Sequence, residues 1–301
     1  MDSNKTAVAL QAGMAVFKII QMPLWMPFYV LLIWLFLTAS DFKNTVAYRL
    51  LTSICLMDCL YLFQGFMEGL FIFWDFTLIP FLGEAISCSR GGYLKAVPFL
   101  TLVLAVNRFT VMLNLSGSMY ENILYKVAIG ISWIIIIPVP LALHYSSSSI
   151  DFGIDSSGYY YEGPPEFLFI MGYLGPSIQL AAFCCYVALL TTIVLKKHMY
   201  GSSFKLTSME LRLILQAFLI SLPLATVILC GLVLADYLRS VTWFGLFWNT
   251  LAAMVPAINL IVHVINPITF EENNLQKKID CRHAVTTNKD LGQVVDFCCW
   301  S

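Results

Sequence analysis

The chain has 301 residues, of which 59% are hydrophobic and only 12% are charged, about half the charged fraction of an ordinary soluble domain. With a mean hydropathy of +0.79, the chain has too few polar residues to cover a water-facing surface, so lipid must surround most of it. The formal net charge of −1 excludes the strongly basic surface that nucleic-acid binding requires.

The apolar residues form long continuous runs, which predict membrane-spanning helices. A helix needs about 20 mostly apolar residues to cross the hydrocarbon core, whereas a β-barrel would show short alternating segments. The seven predicted spans are, in chain order, Phe17–Thr38, Val46–Phe73, a third that ends near Arg108, Lys126–His144, Glu166–Leu195, Glu210–Leu234 and Val241–Ile268. The predicted fold class is therefore all-α, a membrane-spanning seven-helix bundle.

The predicted bundle occupies residues 17–268, with a short segment on either side. Residues 1–16 are expected to form a short extracellular N-terminus without a separate signal peptide, so the first span would act as its own insertion signal. Residues 269–301 are expected to form a cytoplasmic tail, in which Glu271 to Arg282 has the pattern of a helix lying on the membrane surface.

The distribution of Lys and Arg predicts which end of the bundle faces the cytoplasm. With the N-terminus outside, twelve of the 17 Lys and Arg residues lie on the cytoplasmic side. The five on the outer side are Lys5, Lys18, Arg90, Lys95 and Arg239. The sequon Asn4-Lys5-Thr6 predicts glycosylation at Asn4 and fits this orientation. We therefore expect an extracellular N-terminus and a cytoplasmic C-terminus.

The nine cysteines show no metal-binding spacing. Five lie within predicted spans and are expected to act as small apolar side chains. Cys88 is expected to face the outside, and the loop before the fifth span contains no cysteine that would pair with it. Cys281, Cys298 and Cys299 lie in the predicted tail, where palmitoylation and prenylation both remain open.

Several polar side chains interrupt the apolar spans, and each is costly in lipid. Asp58 lies near the middle of the second span, and its burial favours the neutral acid. Asn259, His263 and Asn266 share one face of the seventh span. We predict a hydrogen-bonded cluster of these four residues, which either fixes helix packing or acts as a switch that repacks when the bundle moves.

A second group of charges lies in the outer half of the predicted bundle. Glu68 lies about 15 Å outward of Asp58, given a rise of about 1.5 Å per residue. Arg90 and Lys95, on the third span, lie at a similar depth. Two interpretations remain open: Glu68 forms an internal salt bridge with Arg90 or Lys95, or one cation is left to bind an acidic group of a ligand.

Prolines predict kinks in four of the spans, because each removes a backbone hydrogen bond. The prolines concerned are Pro138, Pro140, Pro176, Pro223 and Pro256. A kink can simply shape the packing, or it can act as a hinge, and Pro223 is the candidate hinge.

One recognisable motif lies at a consistent depth in each of five spans. These motifs are Asp58 in the second span, Asn107-Arg108-Phe109 at the inner end of the third, Trp133 followed by Pro138 in the fourth, Pro223 in the sixth, and Asn266-Pro267-Ile268-Thr269-Phe270 in the seventh. In this order they resemble the rhodopsin-like G-protein-coupled receptors over nearly the whole chain. The sequence Ala105-Val106-Asn107-Arg108-Phe109 looks like the nematode serpentine chemoreceptors.

The chain departs from the family pattern at three points. Asn107 replaces the acid that normally pairs with Arg108, and the first span lacks the family's mid-helix Asn. Cys88 has no partner in the second outer loop for the family's disulfide. The resemblance therefore does not imply a sodium site around Asp58.

The resemblance implies a chemosensory receptor in the plasma or ciliary membrane that couples to a heterotrimeric G protein, without a cofactor. Coupling and activation would fall to Asn107, Arg108 and Phe109, together with Asn266, Pro267 and Phe270. A small ligand would bind in the outer half of the bundle. Besides Tyr93, the candidate contacts there are Glu68, Arg90, Lys95, Phe99, Trp243 and Trp248.

Two other classes of function remain as alternatives. A seven-helix transporter is disfavoured because no internal repeat is visible. A non-signalling membrane scaffold remains open because of the altered triplet at Asn107. The sequence contains no pairing of a nucleophile with a base near one membrane face, so we do not expect an enzyme.

Overall fold

The computed structural model describes residues 3–39, 45–74, 80–112, 119–146, 151–155, 158–200, 214–226 and 250–262, some of them by backbone alone. The helices, in chain order, are α1 (Ser3–Thr38), α2 (Val46–Trp74), α3 (Pro80–Met112), α4 (Met119–Ile136), α5 (Pro138–Ser146), α6 (Pro165–Tyr200), α7 (Ile214–Thr226) and α8 (Thr250–Val262). Since α4 and α5 are two parts of one span, the chain folds as an all-α bundle of seven segments. α3 is central and contacts α2, α4, α5 and α6, whereas α1 packs along α2.

The outside of the bundle is apolar, as a lipid-facing surface must be. Within the described residues, five segments are long and apolar enough to cross a membrane, and α7 and α8 are shorter apolar helices. Large hydrophobic side chains such as Leu31, Trp34 and Phe169 are more than half exposed. Polar residues such as Asp58, Gln64 and Glu68 are instead buried inside. This inverted distribution supports the prediction that lipid surrounds the bundle.

α1 begins at Ser3, whereas the predicted first span begins at Phe17. The intervening residues include good helix formers such as Ala7, Ala9 and Leu10, which let the helix extend beyond the hydrocarbon core. The predicted N-terminal segment is therefore largely helical. Its residue Asn4 lies in the first turn of α1, and the structure describes only its backbone.

The fourth predicted span is interrupted at Ile137, between α4 and α5. Pro138 and Pro140 both lack a backbone N–H, so two helical hydrogen bonds are lost within one turn. The amide of Leu141 donates to the carbonyl of Ile137 at 3.3 Å and restarts the helix. The prediction of a kink at these prolines is confirmed, whereas Pro176 lies within continuous α6.

A short β-hairpin occupies the predicted loop before α6. Strand β1 (Asp151–Asp155) pairs antiparallel with β2 (Gly158–Glu162), with Asp151 opposite Glu162. The tyrosines of β2 favour a strand, because aromatic residues suit a pleated surface. The hairpin contacts α2 and α3. We call the end of the bundle on which it lies the hairpin end, and the other the opposite end.

Gly92 allows α3 and α4 to approach closely. A Cβ atom at this position would lie 2.5 Å from the carbonyl oxygen of Ile136 and 2.6 Å from that of Ile135. Small residues at such crossings let the backbones of membrane helices touch. We expect Gly92→Ala to separate α3 from α4 and to lower the unfolding temperature of the detergent-solubilised protein by several degrees.

Gly130 on α4 provides the matched control for this prediction. A Cβ atom there would meet nothing within 4 Å. Because alanine favours a helix over glycine by about 1 kcal/mol, Gly130→Ala should leave the unfolding temperature unchanged or raise it. Equal unfolding temperatures for the two variants would contradict the close approach at Gly92.

Candidate functional site

Four helices meet through hydrogen bonds to Asp58, whose side chain is fully buried on α2. The hydroxyl of Tyr29 on α1 lies 2.8 Å from Oδ2 of Asp58, and the hydroxyl of Tyr93 on α3 lies 2.6 Å from Oδ1. The amide nitrogen of Asn259 on α8 donates to Oδ2 at 3.2 Å. We call these four residues the Asp58 cluster. It ties α1, α2, α3 and α8 together in the middle of the bundle.

The number of protons in the Asp58 cluster indicates a neutral acid. The hydroxyl of Tyr29 also lies 2.7 Å from the carbonyl oxygen of Pro256, which can only accept a hydrogen bond. Tyr29 has one proton and therefore cannot donate to both Pro256 and Asp58. If Asp58 carries a proton on Oδ2, it donates to Tyr29, and Tyr29 donates to Pro256. Every short contact then contains one hydrogen atom.

The structure brings together two members of the predicted polar cluster, Asp58 and Asn259. Two others, His263 and Asn266, lie outside the described residues. Tyr29 was not among the residues expected in this cluster. Tyr93 was expected to line a ligand site, but it is buried, bonded to Asp58 and stacked on Tyr61 with ring centroids 4.2 Å apart.

A buried group of charges lies nearer the hairpin end. Nζ of Lys18 on α1 lies 2.6 Å from Oε1 of Glu68 on α2, and Arg90 on α3 donates to Oε2 of the same carboxylate. Arg90 also donates to the hydroxyl of Tyr61 at 3.2 Å and lies over its ring. All three charged side chains are at least nine-tenths buried. We call Lys18, Glu68 and Arg90 the Glu68 triad.

Glu68 forms the internal salt bridge that one of the two interpretations expected, and Lys95 is not part of it. Glu68 pairs with Arg90 rather than with Lys95, and it has a second partner in Lys18. Sequence reasoning did not anticipate Lys18, because a lysine near the end of a span usually extends to the membrane interface. The depth of Lys18 in the bundle could have indicated the contact, because it matches the depth of Glu68 when α1 and α2 are placed antiparallel.

Lys95 is buried, and its hydrogen-bond partner is a backbone carbonyl. Its side chain is 8% exposed, and its Nζ donates to the carbonyl of Gly91 at 2.8 Å. Within the part of the chain that the structure describes, no carboxylate lies within salt-bridge distance of Nζ. Phe99, one turn along α3 on the same face, is half-buried.

The Asn107-Arg108-Phe109 triplet lies near the opposite end of α3. Asn107 and Arg108 are buried, and Phe109 is partly buried against the core. The carbonyl of Asn107 accepts a hydrogen bond from the hydroxyl of Thr110 at 2.9 Å. Nε and Nη2 of Arg108 make no hydrogen bond to any described residue. The guanidinium group is held inside the bundle.

Two polar contacts connect α6 to its neighbours. The hydroxyl of Tyr186 donates to the carbonyl of Thr101 on α3 at 3.3 Å. The amide nitrogen of Gln179 donates to the carbonyl of Ser221 on α7 at 2.9 Å, while its oxygen has no partner among the described residues. Pro223, the predicted hinge, lies within α7 two residues after Ser221.

The remaining predicted site residues lie outside the described residues. They are Trp243, Trp248, His263, Asn266, Pro267 and Phe270, together with the three tail cysteines. Cys88 is buried inside the bundle and forms no disulfide with a described residue. Within the described residues, no group of three or more His, Cys, Asp or Glu side chains is placed to hold a metal ion.

Comparison with known proteins shows the class of fold. No protein-family model and no curated protein matches the chain. Among solved structures, the chain is similar to squid rhodopsin with a TM-score of 0.66 and 16% sequence identity, over 88% of this chain and 84% of that chain. The chain is therefore a multi-pass membrane protein with a rhodopsin-like seven-helix fold.

Proposed function

We propose that this protein is a G-protein-coupled chemosensory receptor. In this proposal it binds a small ligand between the helices in the half of the bundle nearer the hairpin end and signals to a heterotrimeric G protein at the opposite end. The observation that supports it most is the likeness to squid rhodopsin over 88% of the chain. The finer resemblance to nematode serpentine chemoreceptors depends on the Asn107-Arg108-Phe109 triplet.

The placement of polar groups along α3 supports different roles for the two ends of the bundle, with ligand binding at the hairpin end and G-protein contact at the opposite end. Arg90 and Arg108 are 18 residues apart, which corresponds to about 27 Å along the helix axis. The Asp58 cluster lies between them and links four helices. A ligand can shift the bundle between two packings only by its difference in affinity for them. The Asp58 cluster is a contact that would have to change in such a repacking.

We propose that α7 moves outward at the opposite end when the ligand binds, with Pro223 as the hinge. Lys196 and Lys197 near the end of α6 would then join Arg108 in contacting the G protein. This proposal requires an extracellular N-terminus and a cytoplasmic C-terminus. An epitope tag at the N-terminus should be labelled on intact cells, and a C-terminal tag only after permeabilisation.

Replacing Arg108 tests the proposed coupling role. Cells that express the protein would be screened with a library of small organic compounds and a calcium or cyclic-nucleotide readout. We expect Arg108→Ala to lower the response to an active compound by about 10-fold or more at equal surface expression, a coupling loss of ordinary size. Arg49→Ala, which changes an exposed arginine on α2, is the control. An undiminished response in Arg108→Ala would refute the role of Arg108.

A further inference from the structure

We propose that Lys95 is the anchor for an anionic group of the ligand, most simply a carboxylate, at the contact between α3 and α6. This inference depends on the proposed function in one respect, namely that a ligand enters the bundle from the hairpin end. It adds the chemical class of that ligand, an organic anion with an apolar body.

The Lys95 ammonium group is buried in an environment that satisfies it only in part. It has three N–H donors, and the structure satisfies one of them with the carbonyl of Gly91. A buried ammonium group is costly unless a counter-ion and further hydrogen bonds compensate it. Among the described residues, none supplies such a counter-ion. An anion from outside the chain would provide both the charge and the missing acceptors.

Lys18 and Lys95 are both buried but have different surroundings. Both lysines are more than nine-tenths buried, but Lys18 has the carboxylate of Glu68 at 2.6 Å. Both oxygens of that carboxylate are occupied, one by Lys18 and the other by Arg90. Glu68 is therefore paired with two other cations and is not the counter-ion of Lys95. Among the described residues, Lys18 therefore has a counter-ion and Lys95 has none.

Lys95 lies where α3 contacts α6. The stem of the lysine lies beside Gly175 on α6, where a Cβ atom would lie 3.7 Å from Cγ of Lys95. One turn further along α6, the buried oxygen of Gln179 has no partner among the described residues. One turn further along α3, Phe99 offers a half-buried aromatic ring. A cation, an acceptor and an aromatic ring at these positions suit an acid with an apolar body and a hydrogen-bond donor.

The direction of the side chain fits a ligand that arrives from the hairpin end. Because Gly91 precedes Lys95 by one turn, the bond between them directs Nζ towards the start of α3. The hairpin packs against α3 and α2 at that end. The Nζ atom therefore points towards the hairpin end, and Phe99 lies one turn further from that end. An amphiphilic acid would enter with its apolar end first.

A ligand-free stability measurement tests this inference without knowing the ligand. The full chain would be placed in phosphatidylcholine nanodiscs, and its unfolding temperature would be followed by tryptophan fluorescence. Lys95→Met should raise the unfolding temperature by about 2–4 °C, because an uncompensated charge is replaced by an apolar chain of similar length. Lys18→Met, the matched control, should lower it, because Glu68 loses one of its cations. A fall in Lys95→Met would overturn the proposal.

A binding measurement identifies the anion. The probes are straight-chain carboxylates from acetate to decanoate, each compared with its neutral amide, and nanodiscs with added phosphatidylserine. We expect at least one carboxylate, but not its amide, to raise the wild-type unfolding temperature by about 2–4 °C, and Lys95→Met to abolish the rise. If the unfolding temperature rises only when both phosphatidylserine and Lys95 are present, the same anion site is supported, and its anion comes from a lipid headgroup. No anion-dependent rise, or one unchanged in Lys95→Met, would overturn the proposal.

The two proposals fail in different ways. If anions bind through Lys95 but no G-protein response occurs, the anion site is supported and the receptor function is contradicted. A compound that signals equally through the wild type and Lys95→Met would keep the receptor function and remove the anion site.

Discussion

Replacing Glu68 with Gln is expected to destabilise the folded protein by about 3–5 kcal/mol, the usual cost of breaking a buried ion pair by removing one partner. Lys18 and Arg90 share this carboxylate from opposite sides, and neither is accessible to water. The glutamine side chain keeps the shape but supplies no negative charge to the two cations. The unfolding temperature in detergent and the fraction of protein that reaches the cell surface measure the effect.

Three comparison variants separate charge from packing in the Glu68 triad. Lys18→Met alone should cost less than Glu68→Gln, because Glu68 keeps Arg90 as a partner. The double variant Lys18→Met/Glu68→Gln should recover part of the loss, because it removes one of the two uncompensated cations. Glu84→Gln, at a carboxylate whose side chain is 37% exposed, should change stability by no more than about 1 kcal/mol. A Glu68→Gln variant that unfolds at the wild-type temperature would contradict the triad.

Asp58→Asn is expected to keep nearly wild-type stability, whereas Asp58→Leu should lose about 3 kcal/mol or more. A neutral carboxylic acid and an amide have the same shape, and both can donate to Tyr29 while accepting from Tyr93. The amide cannot accept from Asn259, so a loss of about 1 kcal/mol is expected for that single bond. Leucine instead leaves Tyr93 and Asn259 without their partner, while Tyr29 keeps only the carbonyl of Pro256. Each buried polar group that loses its partner costs about 1–3 kcal/mol.

The same pair of variants tests the protonation state of Asp58. If Asp58 were ionised, it would accept three hydrogen bonds. The amide N–H group of asparagine would then face a neighbouring O–H or N–H donor, and the cluster would be disrupted nearly as much as by leucine. Equal losses for Asp58→Asn and Asp58→Leu would therefore contradict the neutral acid. The comparison requires the unfolding temperature of both variants at one pH, together with their surface expression.

The depth of each polar group could be predicted from the sequence, but the direction in which it points could not. Asp58 and Asn259 were expected to meet because both are polar in otherwise apolar spans, and they do meet. Tyr29 and Lys18 were missed because α1 is apolar on all sides, so no polar stripe marks its buried face. Lys18, near the end of its span, is equally compatible with a position at the membrane interface. For Tyr29, in the middle of its span, the sequence pattern does not mark which face of α1 is buried.

The partner of Glu68 could not be predicted from the sequence for the same reason. Arg90 and Lys95 are five residues apart, so they point about 140° away from each other around α3. Which of them faces α2 depends on the rotation of α3 about its axis. That rotation is fixed by tertiary contacts, among them the close approach at Gly92 to α4 and the packing of Leu94 against Gly175. Hydrophobic patterning does not determine it, because α3 is buried on most sides.

Nucleotide exchange on purified G proteins tests the proposed receptor function most directly. The full chain in phosphatidylcholine nanodiscs would be mixed with heterotrimeric G proteins of each class and the most potent compound from the cell screen. We predict that the compound accelerates GDP–GTP exchange on at least one G protein, and that Arg108→Ala removes the acceleration while the compound still binds. A compound that binds and raises the unfolding temperature, yet leaves exchange at the uncatalysed rate on every G protein, would contradict the proposed function.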